Sequence, residues 1–174
     1  MKLSKLLVIP VVFSIGLSVS SCDSPFLDGT PVYPDNRFTF PAMYNADLDD
    51  VVIIRNFDEI QELITDVETQ EYYYYESDHK FVDFLREYKV EYFETYILVL
   101  GNHWEGSGSI GVHFMGLRIH NEELVCHIER TIPNIGTADM KHWPFGFDIK
   151  KSYEFSLGRF EYHNKESLFG LLDY

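Results

Sequence analysis

Seven histidines are spread along the chain, and His113, His120 and His127, with Cys126 beside the last, are of the types that coordinate transition metals. A zinc ion needs donor atoms converging at about 2.0–2.3 Å from one point. The sequence around these residues alternates as strands do, placing Cys126 on the inner face and His127 on the outer one. The two cannot then share an ion, and Cys126 is expected as a small buried thiol. No metal site is expected from this set. Asp47, Asp49 and Asp50 lack the glycine and distal glutamate of a calcium loop and read as a solvated acidic cap.

Gly106-Ser107-Gly108-Ser109-Ile110-Gly111 satisfies the spacing of a dinucleotide-binding turn. That turn works only where a strand leads into a helix whose amino end faces the pyrophosphate. Here the following residues alternate like a strand, so the glycines read as a flexible approach to it and no cofactor is implied. No serine has the flanking glycines of a nucleophile elbow. A hydrolase would instead need Asp139, His142, His103 and Ser109, or a comparable set, gathered in one pocket.

Two stretches carry candidate binding residues. Tyr72, Tyr73, Tyr74 and Tyr75 form an aromatic tetrad suited either to packing or to stacking on a carbohydrate or peptide. Thr131 to Pro144 reads as a loop between two strands, where function tends to sit, and it offers Asp139, Met140 and His142.

Composition narrows the partners. Lys and Arg total 14 against 28 Asp and Glu, a formal charge of −14, which repels phosphate backbones and anionic headgroups. Nucleic-acid binding is excluded on this ground. With 174 residues, 45% of them hydrophobic, the chain can bury one ordinary core. Two cysteines allow one disulfide at most.

Lys2 and Lys5 precede an apolar run from Leu6 to Phe13 that continues through Leu17 and Val19 to Ser20, Ser21 and Cys22, the layout of an export signal. The run is too short and too broken by Pro10, Ser14 and Ser18 for a spanning helix. Val19-Ser20-Ser21-Cys22 resembles a bacterial lipobox. That resemblance implies cleavage before Cys22, a diacylglycerol thioether on its sulfur, and a location on the cell membrane facing away from the cytoplasm. Buried acyl methylenes contribute about 0.8 kcal/mol each, so more than one chain holds firmly. The alternative is an ordinary signal, with Cys22 free or paired to Cys126. Residues 1–21 carry two lysines and no acid, so the exported part holds all of the acidity.

From residue 22 to 46 the chain contains Pro25, Pro31, Pro34 and Pro41 and is expected as a tether, its later aromatic half able to lie against the domain. One globular domain is expected over 47–174. Val51 to Ile54 suits a buried strand. Asn56 and Glu59 form a capping box ahead of Phe57, Ile60, Leu63, Ile64 and Val67, whose spacing predicts a helix from 57 to about 68. Phe81, Phe84, Leu85 and Tyr88 predict a second helix, capped by Asp78. Tyr96 to Leu100 reads as a central strand ended by Gly101. Beyond it come alternating strands, with a bulge at Gly116, a turn at Asn121 to Glu123, and a hairpin over Tyr153 to His163 centred on Gly158. The expected class is α+β, an antiparallel sheet or partly closed barrel with one or two N-terminal helices.

The order of Leu98-Val99-Leu100, Ser107-Gly108-Ser109, a hairpin, and Gly136-Thr137-x-Asp139-Met140-x-x-Trp143 resembles a domain of bacterial lipoproteins of unassigned activity. It is more distantly similar to the carboxy-terminal domain of a protease-complex accessory subunit, which has Thr-Gly-Gly-Tyr in place of the Ser-Gly-Ser. The resemblance spans roughly residues 51–151 and implies no catalytic residue. The expected function is a membrane-anchored binding or accessory module for an envelope protein or glycan. The alternatives are an extracytoplasmic hydrolase and an immunity-type lipoprotein that blocks a basic toxin.

Overall fold

The structure, a computed structural model, describes residues 28–41, 51–69, 76–133, 137 and 139–166. Cys22, Asp47, Asp49, Asp50 and Tyr72 to Tyr75 lie outside the described residues.

Two four-stranded sheets face each other, and neither closes into a barrel. The first runs β1 (Thr30–Val32), β5 (Gly111–His120), β6 (Glu123–Ile132), β8 (Leu157–Glu166). The second runs β2 (Asn36–Phe38), β7 (Lys141–Lys150), β4 (Tyr96–Glu105), β3 (Val51–Ile54). Helices α1 (Phe57–Thr69) and α2 (Glu76–Arg86) cover the outer side of the second sheet, and a short α3 (Tyr92–Thr95) leads into β4. The class is α+β, as the sequence implied.

Alternation sorts the core into two layers. Ile97, Val99, Phe145, Phe147 and Ile149 meet Leu117, Leu124, Cys126 and Ile128 between the sheets. Leu98 and Leu100, the alternate residues of β4, meet Ile60, Ile64, Val67, Phe81, Val82 and Leu85 of the helices. Covered on both faces, β4 reads as an unbroken apolar run rather than an alternating one. Each such side chain contributes about 1.5–3 kcal/mol by leaving water.

At the start of α1 the Glu59 amide donates to Asn56 Oδ1 at 2.9 Å. The Glu59 carboxylate accepts from the Arg55 amide at 2.6 Å rather than from that of Asn56, so Asn56 caps as expected and only the reciprocal arm reaches one residue further back. Asp78 does not cap α2, which begins at Glu76; it lies in the first turn and is buried. The bulge falls between Phe114 and Gly116. The turn at Asn121 and Glu122 has two left-handed residues in succession (φ 50° and 64°), the arrangement whose twist suits a two-residue hairpin.

Three expectations change. The chain expected as a tether contributes β1 and β2, which pair with β5 and β7, so the domain takes in residues before 47. The reason is its apolar side chains: Val32 enters the inter-sheet core while Phe40 packs on Phe81 at 5.5 Å. Pro31 is tolerated because β1 is an edge strand. Next, β4 continues four residues past Gly101 to Glu105. That glycine provides close approach, since a Cβ there would lie 2.5 Å from the Phe160 ring.

The third change sets the site. Tyr153 to His163 is no hairpin; β8 is one strand running parallel to β6, with Cys126 opposite Phe160 and Ile128 opposite Tyr162. Parallel neighbours need a crossover, and β7 supplies it by passing through the other sheet. Gly158 is where β8 meets Val51, not where it turns.

Candidate functional site

β3 pairs only with Leu98 to Gly101, so the last residues of β4 run on beyond it. There His103 and Glu105 point between the sheets and Trp104 points the other way. β6 and β8 end beside them, bringing in Arg130 and Tyr162. Together His103, Trp104, Arg130 and Tyr162 line a cavity of about 320 Å³.

A polar network braces its floor. Glu105, 2% exposed, accepts from Arg130 Nη2 at Oε2 (2.7 Å) and from Arg130 Nε at Oε1. His103 Nε2 lies 2.7 Å from the same Oε1, and His103 Nδ1 lies 3.0 Å from Tyr162 Oη. Burial of the Glu105 carboxyl acts to raise its pKa, but hydrogen bonds and charge from Arg130 and His103 outweigh it and hold the pKa below the ordinary value. An ionised Glu105 only accepts, so His103 donates to it from Nε2. Arg130 also donates to Asn164 Oδ1 at 3.3 Å, and its guanidinium lies 5.6 Å from the centre of the Tyr162 ring.

The rim is aromatic. Trp104 is 47% exposed, yet its ring is backed by His142, centroids 5.9 Å apart and planes within 9°. Asn102 Nδ2 donates to His142 Nδ1 at 3.3 Å, fixing that imidazole from behind. A large surface aromatic held in this way loses little freedom on contact with a partner.

The sequence candidates take different places. His142 stands behind Trp104, and Met140, 65% exposed, precedes it on the same end of the sandwich. Asp139 is a latch: its carbonyl accepts the Gly108 amide at 2.6 Å. Its carboxyl is held below the ordinary value, first by a hydrogen bond from Thr137 and then by backbone amides. Ser109 Oγ is 2.8 Å from Thr137 Oγ1, and the cavity lined by His103 does not count Ser109, Asp139 or His142 among its lining residues. The glycine-rich segment closes a turn, Ile110 amide to Ser107 carbonyl at 3.1 Å, and leads into β5 rather than a helix. A dinucleotide has no helix terminus there.

Glu105, Arg130 and Tyr162 were missed by sequence reading, which had His103 only as a member of a hydrolase set. The available signal was His103-x-Glu105, two polar residues at the same-face spacing of a strand, concealed because Gly101 reads as a strand end. His113 and His120 do not join His127: they stand opposite Glu129 and Glu123, whereas His127 stands opposite Gly116. His127 instead meets Glu161 and His163 of β8 on the outer face of the first sheet. Burial lowers the pKa of its imidazole, against the opposing pull of Glu161.

No family model, curated protein or solved structure matched the chain. Among the described residues no helix is long and apolar enough to cross a membrane.

Proposed function

We propose that the chain is a lipid-anchored extracytoplasmic binding module that docks a polypeptide of the cell envelope at the cleft end of its sandwich. The observation that carries this reading is Trp104, exposed to solvent but stacked on His142 and sharing a cavity lining with Tyr162 and Arg130, while exposed Met140 lies two residues before His142. Trp, Tyr, Arg and Met are the residues enriched where proteins meet, and rigid aromatic anchors dominate binding energy. The cleft presents a Tyr162 phenol and a His–Glu pair but no serine, threonine or cysteine among its lining residues, which favours recognition over acyl transfer. A charge of −14 suits a partner with a basic surface and speeds encounter at low salt. The lipobox-like Val19 to Cys22 supplies the attachment.

The test is capture of envelope proteins by the full-length chain extracted in mild detergent, comparing wild type with W104A. The expected result is a defined polypeptide enriched by the wild type, at least tenfold less by W104A, and weakened as salt rises. Equal capture by both proteins, or enrichment of glycan alone, overturns the reading.

A further inference from the structure

On the outer face of the first sheet, away from the cleft, three donor atoms converge. His127 comes from β6, and Glu161 and His163 occupy alternate positions of β8 directly beside it. His127 Nδ1 is 3.0 Å from His163 Nε2 and 3.6 Å from Glu161 Oε1, and His163 Nε2 is 3.8 Å from that same oxygen. This is the one such grouping among the described residues. We propose that these three side chains bind a zinc-class divalent transition metal, with a fourth position open to water or a further ligand.

The geometry carries the inference. A triangle with sides of 3.0, 3.6 and 3.8 Å has its centre about 2.0 Å from each corner, which is the length of zinc–imidazole and zinc–carboxylate bonds. Two imidazoles and one carboxylate are a donor set that transition metals accept from proteins. The other oxygen of Glu161 is engaged by Arg159 Nη1 at 3.0 Å, which orients the carboxylate and leaves Oε1 facing the histidines, as supporting contacts do around bound metals.

His127 adds an independent observation. It is 2% exposed, and its Nε2 is buried with no hydrogen-bond partner among the described residues. A buried polar atom left unpaired destabilises the fold relative to an apolar side chain of similar size. What the imidazole provides at this position is its other nitrogen, aimed at Glu161 and His163. Both of those side chains are about one-third exposed, so an ion can reach the group from solvent.

The experiment equilibrates the full-length protein in detergent with buffered Zn²⁺, measures metal per chain after gel filtration, and records visible spectra with Co²⁺. Wild type, H163Q, E161Q and the control E129Q are compared, with circular dichroism as the check on folding. His163 and Glu161 are chosen because, unlike His127, their side chains are partly exposed. The expected result is about one metal per wild-type chain, an intense visible Co²⁺ band of tetrahedral type, and at least tenfold weaker binding in H163Q and E161Q but not in E129Q. Absence of bound metal from the wild type would reduce the group to a hydrogen-bonded histidine pair and overturn the proposal. Undiminished binding by H163Q and E161Q, or equal loss in E129Q, would do the same. Neither result bears on the cleft, which shares no residue with this group.

Discussion

Arg130 and Glu105 form a two-pronged ion pair between neighbouring sheets, Nη2 to Oε2 at 2.7 Å and Nε to Oε1, with the carboxylate side chain 3% exposed and the guanidinium side chain 25%. Removing one member of a buried pair strands the other charge, at a cost of about 3–5 kcal/mol. Because water reaches the Arg130 side, R130M is expected at the lower end, about 3 kcal/mol, or roughly a 10 °C fall in melting temperature for a chain of this size. Thermal unfolding by circular dichroism measures it, and an unchanged midpoint contradicts the bracing role.

The same pair gives an acid-side signature. Glu105 is held below its ordinary pKa in the fold, so the folded state binds this proton less readily than the unfolded chain does. Its contribution is fully present above the unfolded value, near 4.3, and is lost as pH falls through that value toward the lower folded one. Stability differences between wild type and E105Q should therefore shrink as pH drops below about 4.5. Urea midpoints at a series of pH values read this directly, and a constant difference contradicts it.

Cys126 is fully buried between the sheets, and burial pushes its thiol pKa far up. It should resist thiol reagents in the folded protein and react only as the domain opens. In the denatured native protein one thiol per chain is expected, since a thioether on Cys22 removes the other. Two titratable thiols would contradict the lipid anchor, and rapid labelling of the folded chain would contradict the burial.

Glu122 occupies a left-handed conformation (φ 64°), which costs a residue with a Cβ about 1–2 kcal/mol. Glycine lacks that penalty but loses more chain entropy on folding. E122G is expected to gain about 0.5–1 kcal/mol while keeping the Ser156 amide on the carbonyl of residue 122, now at 2.8 Å. A lower denaturant midpoint would contradict the turn geometry.

Elements whose partners are near in sequence were legible. Phe57 to Val67 declared α1 by spacing, and the turn between Ile119 and Leu124 followed from polar residues flanked by alternation. Contacts between distant segments left no local pattern. Gly101 looked like a strand end and Gly158 like the centre of a hairpin because glycine usually interrupts a strand, whereas here each makes room for a side chain of another element, Phe160 or Val51. β1 and β2 were concealed by prolines that edge positions tolerate. The cleft suffered most, because Glu105, Arg130 and Tyr162 come from three strands and meet only once β8 is known to lie parallel to β6. Met140 and His142 were found because Thr131 to Pro144 read as a loop, although β6 runs to Ile132 and β7 begins at Lys141, so that His142 is a strand residue; Trp104, the residue His142 supports, was not found.

The docking claim is tested most directly by a photo-crosslinking residue at position 140, exposed and outside the polar network, in the full-length chain in living cells. The expected result is a discrete polypeptide adduct that disappears when W104A is added and does not form from position 90, an exposed site in the turn after α2. No adduct from 140, or the same adduct from 90, would contradict docking at this end of the sandwich.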